Sequence, residues 1–335
     1  MATIRQVAEQ AGVSAMTVSN VLNGVTGACT EGTRQRVLRA VEKLDYRANA
    51  LPKAMRAGEF GIIALVATVH QEGGMWLPTR LVDAVHDGLE AAGKHLLLCK
   101  VDVRDLVADD PARAPRLMRE THADGVLING MSQANADLIA AALRQYPVVF
   151  LNQRRARDAV HPDDRAAGRA AYEYLRRNGA RRLGYLAQYG GAHSSMPDRL
   201  EGFRSAAEAD RTAVRVIAPA AGTIATPGAT LESLADLALA DDLDGICCYS
   251  DREAAALCRR ALERGLDRTR LRIATFSDAP YAFGAWQVAT WVLPIADVGR
   301  EGVAMLAKRI ASGRSCPARA IPIPLQEPPW AWPVG

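Results

Sequence analysis

Apolar and polar positions follow two different periods along this chain. Over residues 3–23, TIRQVAEQAGVSAMTVSNVLN, Ile4, Val7, Ala8 and Ala11 recur at i, i+3, i+4 and i+7, the spacing of one buried helical face. Thr3 stands where an N-cap belongs, and Gly12 follows the helix where a left-handed residue costs little. Val13 fills the angle, Ser14 is a second N-cap, and the next helix buries Val18, Val21 and Leu22. That leaves Ala15, Met16, Ser19, Asn20 and Asn23 facing outward. Thr30 caps a third helix over 30–45, with Val37, Leu38, Val41 and Leu44 as its apolar stripe. From residue 60 the period changes. Apolar runs at 61–67, 95–101, 125–129, 147–151, 182–187, 213–217, 244–249, 271–276, 287–292 and 320–325 predict strands buried on both faces. Between them, helical patterns cover 78–93, 113–122, 134–145, 163–178, 198–209, 229–240, 251–265 and 296–312. Strands alternating with helices predict parallel sheets with helices on both faces.

The first pair of helices has the spacing of a helix-turn-helix, whose second helix lies in the DNA major groove. Its outward face is small, uncharged and amide- or hydroxyl-bearing, unlike a solvated face rich in Lys and Glu. Asn20 can bond adenine through two hydrogen bonds, while Ala15 and Met16 can pack on thymine methyl groups, so these three are the expected base contacts. Charge supports this placement. Residues 1–58 hold eight Lys/Arg and four acids, which accounts for the whole formal charge of +4, because the remainder holds 33 of each. The positive field therefore sits where phosphates would bind.

The chain of 335 residues exceeds what one core supports, so more than one domain is expected. An internal echo suggests duplication: 123–145 (ADGVLINGMSQANADLIAAALRQ) and 243–265 (LDGICCYSDREAAALCRRALERG) share an Asp-Gly opening, a strand, a polar loop and an Ala/Leu-rich helix. The N-terminus has no signal-peptide pattern and no run approaches a membrane span, so a soluble, cytoplasmic protein is expected. Six cysteines form no CxxC pair and are read as free thiols. No catalytic, metal or cofactor constellation emerges. HPDDR (161–165) is read as the opening of a helix, where Asp suits the dipole. Ala180 is read as a surface position.

The segment A8-EQ-A11-G12-V13-S14-AM-T17-V18-S19-N-V21-L22-N23, followed by T33-R34-QR-V37-LR-A40-VEK-L44-D-Y46, resembles the lactose-repressor (LacI/GalR) family of bacterial transcription regulators. The resemblance implies an N-terminal all-α helix-turn-helix domain plus an α/β effector domain like the periplasmic sugar-binding proteins, built of two doubly wound parallel-sheet lobes. The expected divisions are 1–46 for the DNA-binding domain, 47–58 for a hinge helix and 59–335 for the effector and dimerisation domain. Within the last, lobe 1 is expected over about 60–157 plus 290–320, and lobe 2 over about 158–289 plus 321–335. By resemblance, phosphate contacts fall to Thr3, Ser14, Thr17, Asn23, Thr30 and Tyr46, with Arg56 adding charge. Met55 takes the position of the minor-groove wedge. Pro52 departs from the pattern and lies in the first turn of the hinge if Asn49 is its N-cap. The implied partners are a pseudo-palindromic double-stranded DNA operator, a second copy of the chain, and a small sugar-like effector in the interlobe cleft.

Ligands of such sheets sit beyond the carboxyl ends of the strands. The candidates there are Thr68, Asn129, Asn152, Arg199 in RLEGF, Ser250 with Asp251, and Ser277 with Asp278. Trp76, Trp286 and Trp291 are candidates to stack on a sugar face. Each polar candidate has an alternative use as a loop or cap residue, Ser250 above all. Two other classes make different demands on the sequence. A solute-binding protein would carry a signal peptide and no helix-turn-helix; a sugar-processing enzyme would carry a catalytic cluster. Within the regulator class, a purine or nucleoside effector is the alternative.

Overall fold

Three short amphipathic helices, none able to bury a core alone, enclose one together. α1 (Ile4–Ala11), α2 (Ala15–Leu22) and α3 (Glu31–Lys43) bury Val7, Ala8, Ala11, Val18, Val21, Val37 and Ala40 against one another. The expected stripe of α3 needs one correction. Leu38 is 36% exposed, because a 3.6-residue turn rotates it away from the face carrying Val37, Ala40, Val41 and Leu44. These helices belong to the first of two units, Met1–Phe60 and Gly61–Gly335. The computed structural model of the chain describes residues 2–47, 58–68, 77–106, 114–120, 123–129, 132–188, 193–218, 230–267, 269–278 and 286–327. The hinge expectations for Asn49, Pro52, Met55 and Arg56 lie outside the described residues.

The second unit runs β1 (Ile62–Thr68), α4 (Thr79–Ala91), β2 (His95–Val101), α5 (Val103–Leu106), α6 (Arg116–Arg119), β3 (Gly125–Asn129), α7 (Gln133–Ala142), β4 (Val148–Leu151) and β5 (Ala159–Pro162). It continues with α8 (Asp164–Arg177), β6 (Leu183–Leu186), α9 (Ser195–Ala209), β7 (Val214–Ile217), α10 (Leu231–Ala240), β8 (Gly245–Cys248), α11 (Asp251–Glu263) and β9 (Arg272–Ser277). Last come β10 (Val288–Val292), α12 (Ile295–Ser312), β11 (Arg319–Ile321) and β12 (Leu325–Gln326). Two six-stranded sheets form, ordered β11-β5-β4-β3-β1-β2 and β12-β10-β9-β8-β6-β7. The first is parallel throughout; in the second only β12 runs antiparallel, against β10. Alternate strand residues enter opposite core layers, which is why the strands read as unbroken apolar runs. In the first sheet Ile63 and Leu65 meet α4 and α12, while Ala64 and Val66 meet α7. In the second, Tyr185 and Phe276 face α8 and α9, while Ile246 and Ile273 face α10 and α11.

The lobe boundaries differ from those expected. β5, which the sequence reading passed over, pairs with β4 and belongs to the first sheet, although lobe 2 was expected to begin at 158. β10 belongs to the second sheet, although 290 onward was expected in lobe 1. The single strand expected over 320–325 is two. Pro322 and Pro324 have no N–H to give a ladder, so β11 ends at Ile321 on β5 and β12 begins at Leu325 on β10. The chain thus passes between sheets three times, after β5, after β10 and between the prolines. The helix expected over 113–122 is the single turn α6, with another turn at α5. Ala180, read as a surface position, is fully buried, and a Cβ at Gly245 would collide with its methyl group. The internal echo is structural: β3 and β8 hold the same fourth place in their sheets, each followed by a helix with a serine N-cap, Ser132 or Ser250.

Candidate functional sites

In the first unit, capping determines which groups face outward. Thr3 and Gln6 form a reciprocal box at α1: the Thr3 N–H donates to Gln6 Oε1 at 2.8 Å, and the Gln6 N–H to Thr3 Oγ1 at 3.3 Å. Gly12, at φ 64°, returns its N–H to the carbonyls of Ala8 and Glu9 and stops α1. Ser14 Oγ then accepts from the Thr17 N–H at 3.1 Å and lies 2.9 Å from Thr17 Oγ1, which starts α2. With Val18 and Val21 turned inward, Met16 is left 69% exposed, and Ala15, Ser19 and Asn20 are half-buried around it. Asn23 donates through Nδ2 to the Ser19 carbonyl at 2.6 Å. Thr30 caps α3, and Tyr46 packs partly against the three-helix core. Three of the expected phosphate residues, Thr3, Ser14 and Thr30, therefore occupy helix N-termini, where N–H groups point outward and favour anions.

In the second unit, two glycines set the central polar group. A Cβ at Gly168 of α8 would overlap the carbonyl oxygen of Arg199, and one at Gly202 of α9 would overlap that of Arg165. Their absence lets the two helix backbones touch. Arg199 Nε then donates to Asp164 Oδ1 at 2.7 Å, with both side chains almost fully buried. Its Nη1 donates to the Tyr249 carbonyl at 3.0 Å, and the guanidinium lies 4.5 Å from the centre of the Phe276 ring and 5.1 Å from that of Tyr249. Burial works against this charge, but Asp164 outweighs it and raises the Arg199 pKa above its ordinary value.

Beside it runs a chain of neutral groups. His193 Nδ1 is 2.8 Å from Ser195 Oγ, which is 2.9 Å from the Tyr249 hydroxyl. Burial pushes the His193 imidazole below its ordinary pKa, with Arg199 adding to the effect and Asp164 opposing it. Sequence reading missed His193, Ser195, Tyr249 and Asp164. Two were within reach: Ser195 is one helical turn before Arg199, and Tyr249 directly follows β8. His193 and Asp164 offered no such spacing.

The other expected residues fall into distinct uses. Thr68 ends β1, 1% exposed, and its hydroxyl has no hydrogen-bond partner among the described residues. Asn129 is buried at the end of β3, and Asn152, at φ 60°, directly follows β4 with its N–H on the Val160 carbonyl at 2.8 Å. Ser250 is occupied as the N-cap of α11, in a box with Glu253, whose carboxyl burial pushes up. Ser277 donates to Asp251 Oδ2 at 3.2 Å, and Asp278 is half-buried. Trp291 is not a stacking surface: it is 2% exposed, edge-on to Tyr174 at 5.8 Å in the core of the second lobe. Trp286 is likewise buried in a core cluster, and Trp76 lies outside the described residues. Among the contacts that span the lobes are a pair from Arg154 and a hydrogen bond between the Asn152 backbone and His193. Arg154, beyond β4, donates through Nε to Asp198 of α9 at 2.6 Å and through its N–H to Ser194 Oγ at 3.2 Å.

In HPDDR, His161 Nδ1 lies 2.8 Å from the Pro162 carbonyl, Asp163 caps α8, and Asp164 holds Arg199. The cysteines are free thiols, and burial pushes that of Cys258 up to about 12. Among the described residues no group of three or more His, Cys, Asp or Glu is placed to hold a metal, and no helix is long and apolar enough to cross a membrane.

Comparison with known proteins gives matches to both units. Residues 3–49 match the bacterial regulatory proteins of the lacI family, and residues 172–327 match the periplasmic binding protein-like domain. The maltose regulon regulatory protein MalI of Escherichia coli (strain K12) is 32% identical over 198 residues, 58% of this chain and 55% of MalI. The HTH-type transcriptional repressor PurR of Vibrio cholerae is 25% identical over 276 residues, 79% of this chain and 78% of PurR. Among solved structures, the lac repressor dimer bound to operator and the anti-inducer ONPF matches with a TM-score of 0.78 at 16% identity, covering 98% of each chain. The transcriptional regulator CelR–cellobiose complex matches at a TM-score of 0.63 and 22% identity, covering 98% of this chain and 99% of that one. At these identities the structural matches speak for the fold.

Proposed function

We propose, from the premise that the chain belongs to the lacI family of bacterial regulatory proteins, that it is a sequence-specific transcriptional repressor acting in the cytoplasm. It binds a pseudo-palindromic operator as a homodimer and leaves it when a sugar-like effector enters the cleft between the lobes. The observation that carries this reading is the outward face of α2, where exposed Met16 stands between Ala15 and Asn20 with no charge on the helix. Such a face gains little in water, but Asn20 matches an adenine edge and Met16 a thymine methyl group. Thr3, Ser14, Thr17, Asn23, Thr30, Tyr46 and Arg56 then position the unit on phosphates, and Met55 wedges the minor groove. One recognition helix reads few bases, so two half-sites per dimer supply the affinity.

In the cleft, Thr68, Asn129, Asn152, Arg199, Asp251, Ser277 and Asp278 offer donors and acceptors to hydroxyls. Ser250 contributes through the cap that holds Asp251. Effector binding alters the spacing of the two hinge segments, 47–58, across the dimer, and a coupling of about 1–3 kcal/mol is enough for a switch. A purine or nucleoside effector is the second reading, favoured by the alignment to a PurR repressor over 79% of this chain. Selecting bound duplexes from a random pool with the full chain, then repeating with Asn20→Ala, tests the reading. A half-site preference that changes in the variant supports it; a preference untouched by the substitution removes Asn20 from base reading, and no preference at all removes the repressor.

A further inference from the structure

Met16 differs from the other described methionines. Met118, Met196 and Met305 each pack against a core cluster of the second unit, while Met16 stands 69% exposed at the second position of α2. Most of the thiols compete poorly for an oxidant. Burial pushes up the pKa of Cys99, Cys247, Cys248 and Cys258, which leaves little of the thiolate that reacts. Cys316 is buried as well, and Cys29, in the first unit, is half-buried.

A peroxide oxidises a thioether in one two-electron step. A sulfur lone pair attacks one oxygen of hydrogen peroxide, the O–O bond breaks, and the sulfoxide forms as water leaves. The product turns a flexible apolar side chain into a polar one. The free first unit tolerates that change at Met16. Val7, Val18, Val21 and Val37 close its core, and Ser14 starts α2 through Thr17, all without the Met16 side chain. On a duplex the balance reverses. Against a thymine methyl group the sulfoxide oxygen loses water and meets no donor, and α2 itself carries no cation to bond it.

We propose that Met16 is an oxidation site that weakens DNA binding: a hydroperoxide converts its thioether to the sulfoxide in the free protein, and the modified α2 holds its half-site less tightly. This rests on reading α2 as the base-contacting helix. A bound duplex covers the sulfur, so duplex and oxidant act against each other at one side chain, and each lowers the effect of the other. Reduction of the sulfoxide restores the apolar side chain and with it the contact.

The test uses a duplex that the untreated full-length protein selects. The protein is treated with hydrogen peroxide and then with dithiothreitol, which returns sulfenic acids and disulfides to thiols and leaves sulfoxides in place. Affinity is expected to fall about tenfold per half-site, hence about a hundredfold for an inverted repeat, and to return after methionine sulfoxide reductases act. Non-specific affinity and its salt dependence are expected to stay as they were, because phosphate contacts are untouched, whereas general unfolding would lower both. Peptide mass spectrometry is expected to find the Met16 sulfoxide in the free protein and much less of it in the duplex-bound protein. Met16→Leu and Met55→Leu are each compared with their own untreated forms, on the duplexes they select. The fall should vanish in the first and persist in the second. An equal fall in Met16→Leu, or an oxidised Met16 with no fall left after dithiothreitol, overturns the inference. If the untreated protein shows no half-site preference, the reading of α2 falls and the inference falls with it.

Discussion

Arg199 and Asp164 are both nearly inaccessible, so each depends on the other for its charge. Removing one leaves an uncompensated buried ion, and Arg199→Ala is expected to destabilise the second unit by about 3–5 kcal/mol in urea unfolding. Arg154→Ala removes a pair whose arginine is 61% exposed, and the same measurement should register at most about 1 kcal/mol. His193 gives a pH dependence whose sign is fixed by its lowered folded pKa. Below its unfolded value of about 6.5 the unfolded chain binds a proton that the folded chain resists. His193 therefore makes stability fall as pH drops below that value, with no cost above it. Unfolding free energies of the wild type and His193→Gln, compared from pH 8 to 5, should diverge only at the acid end, with the wild type losing more. Some of these residues were legible in the sequence and others were not, for a physical reason. Arg199 stands in a short motif, but Asp164 is 35 positions away and meets it only because two helices cross. Ser250 was legible twice over, as a strand-end ligand and as an N-cap, and the structure shows it occupied by Glu253 in the second use.

At the scale of elements, the glycine contact between α8 and α9 fixes where Arg199 lies. Gly202→Ala adds one methyl group against a backbone oxygen that cannot move aside as a side-chain end does. It should cost at least about 1–3 kcal/mol and shift the Arg199 side chain relative to Tyr249, visible as altered tyrosine fluorescence and a lower denaturation midpoint. In the first unit, Ser14→Ala removes the acceptor for the Thr17 N–H and should cost about 1 kcal/mol of stability. The helix-turn-helix was readable nearly residue for residue, because period, caps and the left-handed Gly12 all point the same way. β5 was not: four residues ending in Pro162, directly before a helix cap, give too short a run to show a period. The split of 319–326 between two sheets was written in Pro322 and Pro324, whose missing N–H groups mark where no ladder can form.

For the whole molecule, duplication and charge placement are the two features that sequence and structure share. The repeated Asp-Gly-strand-helix segment occupies matching places in two parallel sheets, and the excess of eight basic over four acidic residues lies in the first 58 positions. Lobe membership was less legible, because after β10 the chain returns to the first lobe for α12 and β11 and then to the second for β12. Duplex reading by the neutral face of α2, proposed for the N-terminal unit, is open to direct measurement. Full-length protein is incubated with a random duplex pool at several salt concentrations, and the bound fraction is sequenced. The expected result is an enriched inverted repeat whose affinity falls steeply with salt, as displaced counter-ions require. Bound duplexes with the same sequence statistics as the starting pool, at every salt concentration, would contradict base reading by α2.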